Sequence, residues 1–239
     1  MSDRATPPRM VAAQRKGGTG REGTSGDGVV PPGVFVHPQG LCESGAVGAG
    51  TRVWAFAHVM PGARIGRGCN ICDGAFVEGG AVLGDNVTVK NGTLVFDMVT
   101  CADDVFLGPH VAFTNDLRPR AHVKRDRSEF LPTQVERGAS LGAGTVVVCG
   151  TQIGEYAFAA AGSVVTRDVP AYAFVAGHPA RRKGWVCEDG RRLDRDLNCP
   201  GCGRSYEMVS PNSGLRPVGA PSGAEPSRTT MSNSARVED

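Results

Sequence analysis

Residues 71–95 read ICDGAFVEGGAVLGDNVTVKNGTLV, and an apolar residue recurs at every sixth position of this stretch. The same period runs in one phase from Leu41 to Phe113, and a small or β-branched residue follows four positions after each apolar one. A period of six fits neither an amphipathic helix nor regular strand alternation, but it is a signature of a parallel β-helix. We therefore predict an all-β fold in which short parallel strands wind into stacked coils, with both sets of residues facing the axis.

A slower period describes the shape of the coil. Gly48, Gly66 and Gly84 lie 18 residues apart, which corresponds to three hexapeptides per turn. Glycines stacked on one edge would let the backbone turn tightly where a Cβ atom has little room. The spacing predicts a three-sided coil of about six turns, with neighbouring turns roughly 4.8 Å apart.

The repeat divides the chain into four segments. Residues 1–33 are polar and rich in glycine, and we predict that they form a disordered leader. The β-helix domain spans residues 34–184, and its phase breaks over the 22 residues from Phe113 to Val135, so residues 114–134 are predicted to be an inserted loop. Residues 185–208 form a small appendix with cysteines, and residues 209–239 are expected to be a disordered tail.

The bulk composition argues against several classes of partner. The net charge is only +2, which gives no reason to expect binding to nucleic acid or to a membrane surface. No apolar run reaches the roughly 18 residues of a membrane span, and no secretory signal precedes the repeat. These features predict a cytoplasmic protein whose eight cysteines are reduced thiols.

Two longer stretches resemble a known family. They are GPHVAFTNDLRPR (residues 108–120) and LGAGTVVVCGTQIGEYAFAAAGSVVTRDVPAYAFVAGHPARRKGW (residues 141–185), within a match that covers roughly residues 34–193. The chain resembles the left-handed β-helix (hexapeptide-repeat) acyltransferases, and among them the nucleotide-sugar 3-N-acetyltransferases. These enzymes use acetyl-coenzyme A (acetyl-CoA) to acetylate the 3-amino group of a UDP- or dTDP-linked sugar, such as a UDP-2-acetamido-3-amino-glucuronate.

The resemblance also implies an assembly and a biological setting. It implies a left-handed coil and a homotrimer whose active sites lie between neighbouring subunits. Such an assembly is physically reasonable, because closed cyclic symmetry is a common way to bury a flat protein face. The implied pathway is the synthesis of a surface polysaccharide or glycoside.

Counting by 18 places three polar residues in one column on the outer surface. Asn91 lies 18 residues after Asp73 and stacks beneath Pro109, beside His110, so all three fall at the outward third or fourth place of their hexapeptides. Because Asn and Asp favour turns, these are ordinary solvated turn residues in the simplest interpretation. The resemblance implies instead that His110 and Asn91 are catalytic and that Asp73 binds the amino sugar. The family commonly has Asn-Asn where this chain has Asn91-Gly92. Gly92 therefore offers no side chain for one of the sugar contacts that the resemblance implies.

Acetyl transfer from a thioester needs an acceptor for the amine proton and stabilisation of an oxyanion. A free imidazole titrates near pH 6.5, so His110 could act as a general base. Alternatively, His110 only orients the sugar, because a departing thiolate can accept the proton itself. A backbone N–H or an Asn amide would bind the oxyanion, and Asn115 is a candidate by its position.

The inserted loop is rich in arginine, and arginine forks suit both a pyrophosphate and a sugar carboxylate. The predicted substrate-binding residues of the loop are Asn115, Asp116, Arg118, Arg120 and Glu129. Glu129 is included because it matches an acidic position of the family. The alternative for each of them is a charged residue on a solvated loop.

The later coils carry small outward residues, which would let a pantetheine arm lie close to the backbone. By the resemblance, acetyl-CoA would be bound by Gly142, Ala143, Ala161, Gly162, Arg181 and Lys183, the last two at its phosphates.

The appendix contains a motif with metal-like spacing. Cys199-Pro-Gly-Cys202-Gly resembles half of a zinc ribbon, whose other half should be a second close pair of cysteines. Only Cys187 is present there, followed by Glu188-Asp189. Two interpretations stay open: a zinc site of three cysteines completed by Asp189, or a degraded ribbon.

Other functions are compatible with a coil of this kind. They are an O-acetyltransferase acting on a sugar or small hydroxyl acceptor, and a non-catalytic scaffold or binding module. A γ-type carbonic anhydrase would need three histidines around zinc, and the five histidines of this chain lack the required close pair. The arginine-rich loop favours the nucleotide-sugar enzyme.

Overall fold

A computed structural model describes residues 30–219, whose regular elements are almost all short strands joined by turns. The strands before the inserted loop are β1 (Phe35–Val36), β2 (Leu41–Cys42), β3 (Arg52–Val53), β4 (His58–Val59), β5 (Arg64–Ile65), β6 (Asn70–Ile71), β7 (Phe76–Val77), β8 (Val82–Leu83), β9 (Thr88–Val89), β10 (Leu94–Val95), β11 (Val99–Cys101), β12 (Phe106–Leu107) and β13 (Ala112–Phe113). The loop contains one 3₁₀ turn, Arg127–Glu129. The strands after it are β14 (Thr133–Val135), β15 (Ser140–Leu141), β16 (Val146–Val147), β17 (Gln152–Ile153), β18 (Phe158–Ala159), β19 (Val164–Val165), β20 (Ala173–Gly177), β21 (Ala180–Trp185), β22 (Tyr206–Ser210) and β23 (Gly214–Pro217).

The coil has three parallel faces, which the chain visits in turn. Face 1 is ordered β1-β3-β6-β9-β12-β15-β18-β20, with β21 added antiparallel at its end. Face 2 is ordered β2-β4-β7-β10-β13-β16-β19, and face 3 is ordered β5-β8-β11-β14-β17. The predicted parallel β-helix is confirmed, but it has about eight turns rather than about six. The difference arises because β1 and β20 lie outside the regular hexapeptides and still pair with the coil.

The interior contains both sets of periodic residues. From Val47 to Val169 every predicted inward position is buried, and larger residues such as Ile71 and Phe113 alternate with small ones such as Ala75. Leu41 and Gly45 are the exceptions: both are exposed, and Cys42 and Ser44 are buried instead. The cause is the register of β2, in which Cys42 pairs with Val59, so this first coil is one residue shorter than the rest.

The glycine series lies where consecutive coils touch. A Cβ atom on Gly66 would lie 2.4 Å from the carbonyl oxygen of Gly84, which leaves no room for a side chain. The close stacking that the 18-residue spacing predicted is therefore present.

Turns between the faces form three edges, and these position the functional residues. The first edge joins face 1 to face 2 and includes residues 73–74, 91–92, 109–110, 143–144 and 161–162. The second edge joins face 2 to face 3 and includes residues 78–80 and 96–98. The third edge joins face 3 to face 1 and includes residues 84–86, 102–104 and 154–156. The inserted loop leaves the second edge after β13 and returns in β14, whose Thr133 pairs with Val99.

The C-terminal part is more ordered than the sequence suggested. The expectation of a disordered tail from Val209 is wrong for residues 209–219, because β22 and β23 form an antiparallel hairpin. This hairpin is attached to the coil where Gly214 bridges to Ala171, and Leu215 is buried with Tyr172 and Tyr206. The remaining tail, residues 220–239, and most of the predicted leader, residues 1–29, lie outside the described residues. Among residues 30–219, no helix has the length and apolar character to span a membrane.

Candidate active site

The first edge brings the predicted polar column together. The N–H of Gly92 donates to the carbonyl oxygen of Asp73 (3.1 Å), and the N–H of His110 donates to the carbonyl oxygen of Asn91 (3.0 Å). The side chains follow the backbone, since the Asn91 Nδ2 donates to the Asp73 Oδ2 at 3.4 Å. Asp73, Asn91 and His110 therefore occupy three consecutive coils and are exposed in the single chain.

Gly92 forms the surface against which the imidazole of His110 lies. A Cβ atom at Gly92 would be 2.6 Å from Nδ1 and 2.7 Å from Cε1 of that ring. The residue that departs from the Asn-Asn pattern of the family thus makes room for the imidazole. Within residues 30–219, neither ring nitrogen of His110 has a hydrogen-bond partner, so both are free to meet a substrate.

On the two coils that follow His110 in the stack, the first edge consists of alanine and glycine. The N–H of Gly144 donates to Pro109 O, and the N–H of Gly162 donates to Ala143 O, each at 2.8 Å. Stacking is close because Gly142 has no side chain: a Cβ there would lie 2.5 Å from Ala161 N. The four residues predicted at the pantetheine arm therefore lie on the same edge as His110, with no side chain larger than a methyl group.

The β20–β21 hairpin stands one coil above this path, because Ala160 N donates to Val175 O in β20 at 2.9 Å. The Arg182 guanidinium already has partners within the chain: it lies 4.4 Å from the centre of the Trp185 ring and donates to Pro211 O at 3.0 Å. Arg181 and Lys183 are exposed, and among residues 30–219 the Arg181 side chain donates only to the neighbouring Ala180 O. Three coil spacings of roughly 4.8 Å separate the level of His110 from the hairpin, a rise of about 14 Å.

The inserted loop carries the other predicted substrate residues, and several of them already bind the loop itself. Asp116 Oδ1 accepts from Arg118 N at 2.8 Å, and Asn115 O accepts from Leu131 N at 3.2 Å. Glu129 accepts from Arg125 Nη1 (3.0 Å) and closes a capping box by accepting from Asp126 N (3.1 Å).

The free cations of the loop are the better candidates for substrate phosphate. Arg118 and Arg120 are exposed, and within the described part of the chain the Arg120 guanidinium donates only to Pro119 O. Glu129, by contrast, has a structural task that the family match did not reveal.

Sequence reasoning missed the ion pair that holds the loop to the coil. Arg127 donates from Nε to Asp97 Oδ2 at 2.5 Å and from Nη2 to Asp97 Oδ1 at 2.8 Å. These hydrogen bonds hold the pKa of Asp97 below its usual value. The 18-residue spacing places Asp97 one coil below Asn115, but a partner on an aperiodic loop gives no such signal.

Within one chain, the column and the loop do not meet. The column lies on the first edge and the loop leaves the second, so face 2 separates them. Among the described residues, no hydrogen bond or ion pair joins the loop to Asp73, Asn91 or His110. The outward residues of face 2 are mainly apolar: Leu41, His58, Phe76, Leu94, Ala112, Val146 and Val164.

The three cysteines of the appendix gather at a separate place. Their sulfurs and the Asp189 carboxylate form one group whose donor atoms all lie within 4.8 Å of one another. This group shares no residue with the first edge.

Known proteins share both the repeat and a large part of the sequence. The family of bacterial transferase hexapeptide proteins (six repeats) matches residues 46–79. The chain is 49% identical over 178 residues to the dTDP-3-amino-3,6-dideoxy-alpha-D-galactopyranose 3-N-acetyltransferase of Aneurinibacillus thermoaerophilus, covering 73% of this chain and 91% of that protein.

Solved structures with a similar coil include the acetyltransferase domain of PglB from Neisseria gonorrhoeae with acetyl coenzyme A (24% identity, TM-score 0.47, 63% of this chain and 57% of that chain). Another is a mutant of perosamine N-acetyltransferase from Caulobacter crescentus with CoA and GDP-perosamine (23% identity, TM-score 0.44, 66% and 56%). The family rests on the 49% relative, nearly all of whose length the chain covers. This chain belongs to the hexapeptide-repeat acyltransferases, in the group of the nucleotide-sugar 3-N-acetyltransferases.

Proposed function

We propose that this chain transfers the acetyl group of acetyl-CoA to the 3-amino group of a UDP- or dTDP-linked amino sugar. The name of its relative from Aneurinibacillus thermoaerophilus specifies a 3-amino group on a dTDP-linked sugar, which supports this substrate class. One observation carries the proposal: on the first edge, a polar column meets a path of alanine and glycine at His110.

The chemistry joins a neutral amine to a thioester. The nitrogen lone pair attacks the carbonyl carbon, a C–N bond forms, the C–S bond breaks, and CoA leaves as a thiolate. The proton released by the nitrogen passes to His110 and then to the thiolate, so no other reactant is consumed. Since the ring nitrogens of His110 have no partner among residues 30–219, they support this role, because a general base must reach the proton that it removes.

The polar column holds the sugar beneath the reacting atoms. Asn91 offers an amide next to His110, and its hydrogen bond to Asp73 fixes the direction of that amide. The Asp73 carboxylate accepts a hydrogen bond from a sugar hydroxyl. The pantetheine arm lies along Gly142, Ala143, Ala161 and Gly162, and Arg181 and Lys183 bind the CoA phosphates; the small, exposed first edge supports this path.

We further propose that the active form is a homotrimer in which each site combines the column of one subunit with the loop of the next. The mainly apolar face 2 lies between the first and second edges, so packing that face against a neighbour brings one chain's column toward another's loop. Arg118 and Arg120 then bind the nucleotide pyrophosphate across the interface, with Asn115 and Asp116 beside them.

The reaction would belong to the synthesis of a surface polysaccharide or glycoside, in the cytoplasm. Both substrates are activated metabolites of that compartment, and none of the eight cysteines, all of which lie within residues 30–219, forms a disulfide.

The substrate class is tested by a panel of UDP- and dTDP-linked 3-amino sugars with acetyl-CoA, following thiol release. We expect turnover with at least one amine and none with the matched 3-hydroxy sugars. His110→Ala should lower kcat by about 10²–10⁴-fold, the usual contribution of a general base. Absence of turnover with every amine, or equal rates with hydroxyl acceptors, would contradict the proposal and favour the scaffold or the O-acetyltransferase.

The shared site is tested by complementation. His110→Ala chains are co-refolded or co-expressed with chains that carry Arg118→Ala and Arg120→Ala, each variant being inactive alone. If a site takes its histidine and its arginines from different chains, random mixing restores about one quarter of the sites. No recovery above the two parents, in a mixed trimer verified by light scattering, would contradict the shared site.

A further inference from the structure

We propose that Cys187, Asp189, Cys199 and Cys202 bind one zinc ion that fastens the C-terminal appendix to the coil. Thiolates with one carboxylate form a donor set that suits zinc, which prefers four ligands in a tetrahedron. The ligand pairs come from two places in the sequence, one just after β21 and the other just before β22.

The distances between donors fit a tetrahedron around one ion. A Zn–S bond of about 2.3 Å implies sulfur atoms about 3.8 Å apart at tetrahedral angles. Cys187 Sγ and Cys202 Sγ are 3.5 Å apart, and Cys199 Sγ lies 3.7 Å and 3.8 Å from the two Asp189 oxygens. All donors lie within 4.8 Å of one another, so one ion can reach all four.

Neighbouring groups orient these ligands. Tyr206 Oη donates to Cys187 Sγ at 3.2 Å, and Arg191 Nη1 donates to Asp189 Oδ2 at 2.8 Å. Such second contacts fix ligand orientation in metal sites. Three thiolates and a carboxylate exceed the charge of Zn²⁺ by two, and the Arg191 guanidinium offsets part of that excess.

The backbone also folds each ligand segment into a tight turn. The N–H of Gly190 donates to Cys187 O at 2.8 Å, and the N–H of Gly203 donates to Cys199 O at 2.9 Å. Each turn brings two ligands to the same side, which a segment filling an apolar core does not need.

Core filling explains the cysteines that face into the coil but not this group. Cys69 and Cys101 occupy inward positions of the coil among valines and alanines. Cys202 is exposed, and Cys199 lies against a carboxylate, which is a poor neighbour for a thiol in an apolar core.

The four ligands lie where the appendix packs on the coil, so the ion would have a structural role. Cys187 and Cys199 are buried with Tyr172, Tyr206 and Leu215 in a small cluster that packs the appendix on the end of the coil. An ion that joins both ligand segments would close the appendix over Tyr172. Since the cluster shares no residue with the first edge, loss of the metal should destabilise the appendix without removing the catalytic column.

The test uses the full chain, purified without chelator and analysed for metal by mass spectrometry. We expect about one zinc per chain in the unaltered protein and less than a tenth of that in Cys199→Ser/Cys202→Ser. Cys72→Ser is the matched control, because Cys72 is also buried but lies outside the group. This variant should contain as much zinc as the unaltered protein. Cobalt exchanged into the site should give the intense visible bands of tetrahedral thiolate coordination, which do not depend on activity.

Asp189 distinguishes the four-ligand site from a mere cysteine cluster. Asp189→Ala should release zinc to a competing chelator at least tenfold faster, whereas Asp189→Cys should retain it at least as well as the natural chain. The proposal is overturned if the folded chain holds neither zinc nor cobalt, if Asp189→Ala releases metal at the natural rate, or if Cys187 and Cys202 are found as a disulfide in the purified protein.

Discussion

Replacing Gly92 by alanine should damage catalysis far more than stability. The new Cβ would lie 2.6 Å from His110 Nδ1, whereas ordinary contact begins near 3.4 Å, so the ring must retreat by about 0.8 Å. The ring moves rather than the coil because it is the flexible end of a side chain. A displacement of about 1 Å at a reacting group can cost about 100-fold in rate, so we expect kcat to fall by about 10- to 100-fold.

A second effect of this substitution is backbone strain, which a matched variant removes from the comparison. Gly92 has φ +66°, and Gly68, on the third edge, has φ +65°. In the part of the chain that the structure describes, no heavy atom lies within 4 Å of the position that a Cβ atom would take at Gly68. A left-handed conformation costs an alanine about 1–2 kcal/mol, partly offset by about 0.4–1 kcal/mol from the stiffer unfolded chain. Gly92→Ala and Gly68→Ala should therefore lose similar stability, about 1 kcal/mol each.

The assay combines thermal unfolding with steady-state thiol release at saturating acetyl-CoA. The expected pattern is equal shifts in melting temperature and a loss of kcat in Gly92→Ala alone. If both variants lose activity equally, strain in the coil is responsible. If Gly92→Ala keeps the full rate, the position of the His110 imidazole does not govern the reaction.

Three further predictions concern the loop, the core and the CoA path. Arg127→Gln should speed proteolysis within the loop several-fold and raise KM for the nucleotide sugar. The pKa of Asp97 is lowered in the folded protein, so the ion pair stabilises the fold above the unfolded pKa of about 4. This stabilisation is lost as the pH falls through the lower folded pKa. The free energies of unfolding of the unaltered protein and of Arg127→Gln, measured against pH, should therefore converge in acid. Phe113→Ala should lower the unfolding free energy by about 3–5 kcal/mol in denaturant titrations, since Phe113 is 1% exposed; a loss below about 1 kcal/mol would refute its place in the core. Arg181→Ala should raise KM for acetyl-CoA about tenfold while Arg182→Ala, whose guanidinium is occupied by Trp185, should not; equal effects would contradict the assignment of the phosphates.

The hexapeptide period predicted the coil well because the interior admits few solutions. Every coil must place two apolar or small residues per face near the axis, so these residue types recur at the same two positions of each hexapeptide. Leu41 shows the limit of this reasoning: it keeps the period but lies outside, because the pairing of Cys42 with Val59 shifts the first coil by one residue. Periodicity reports an average environment, and a terminal coil is free to depart from it.

The candidate site was only partly predictable, for a physical reason. The column of Asp73, Asn91 and His110 follows from counting, because all three belong to the repeating coil. Side-chain partners off the repeat do not follow from counting: the pairing of Arg127 with Asp97 and the capping role of Glu129 depend on how an aperiodic loop folds back. The fit of the imidazole against Gly92 needed coordinates, since an absent side chain gives no contact to count.

The coil also explains why the proposed reaction would occur at His110 rather than elsewhere on the edge. On the two coils below His110 this edge carries Asn91 and Asp73, whose polar side chains can hold a sugar, and on the two coils above it the edge carries only alanine and glycine. Adjacent rungs are about 4.8 Å apart, so a sugar bound at Asn91 and a thioester lying at Ala143 both approach the level between them. Because the inward positions and the closely stacked glycines specify the coil, the exposed residues of one edge are free to divide in this way. If the proposed function is correct, His110 lies at the one level of this edge where a sugar amine and an acyl group can be brought into contact.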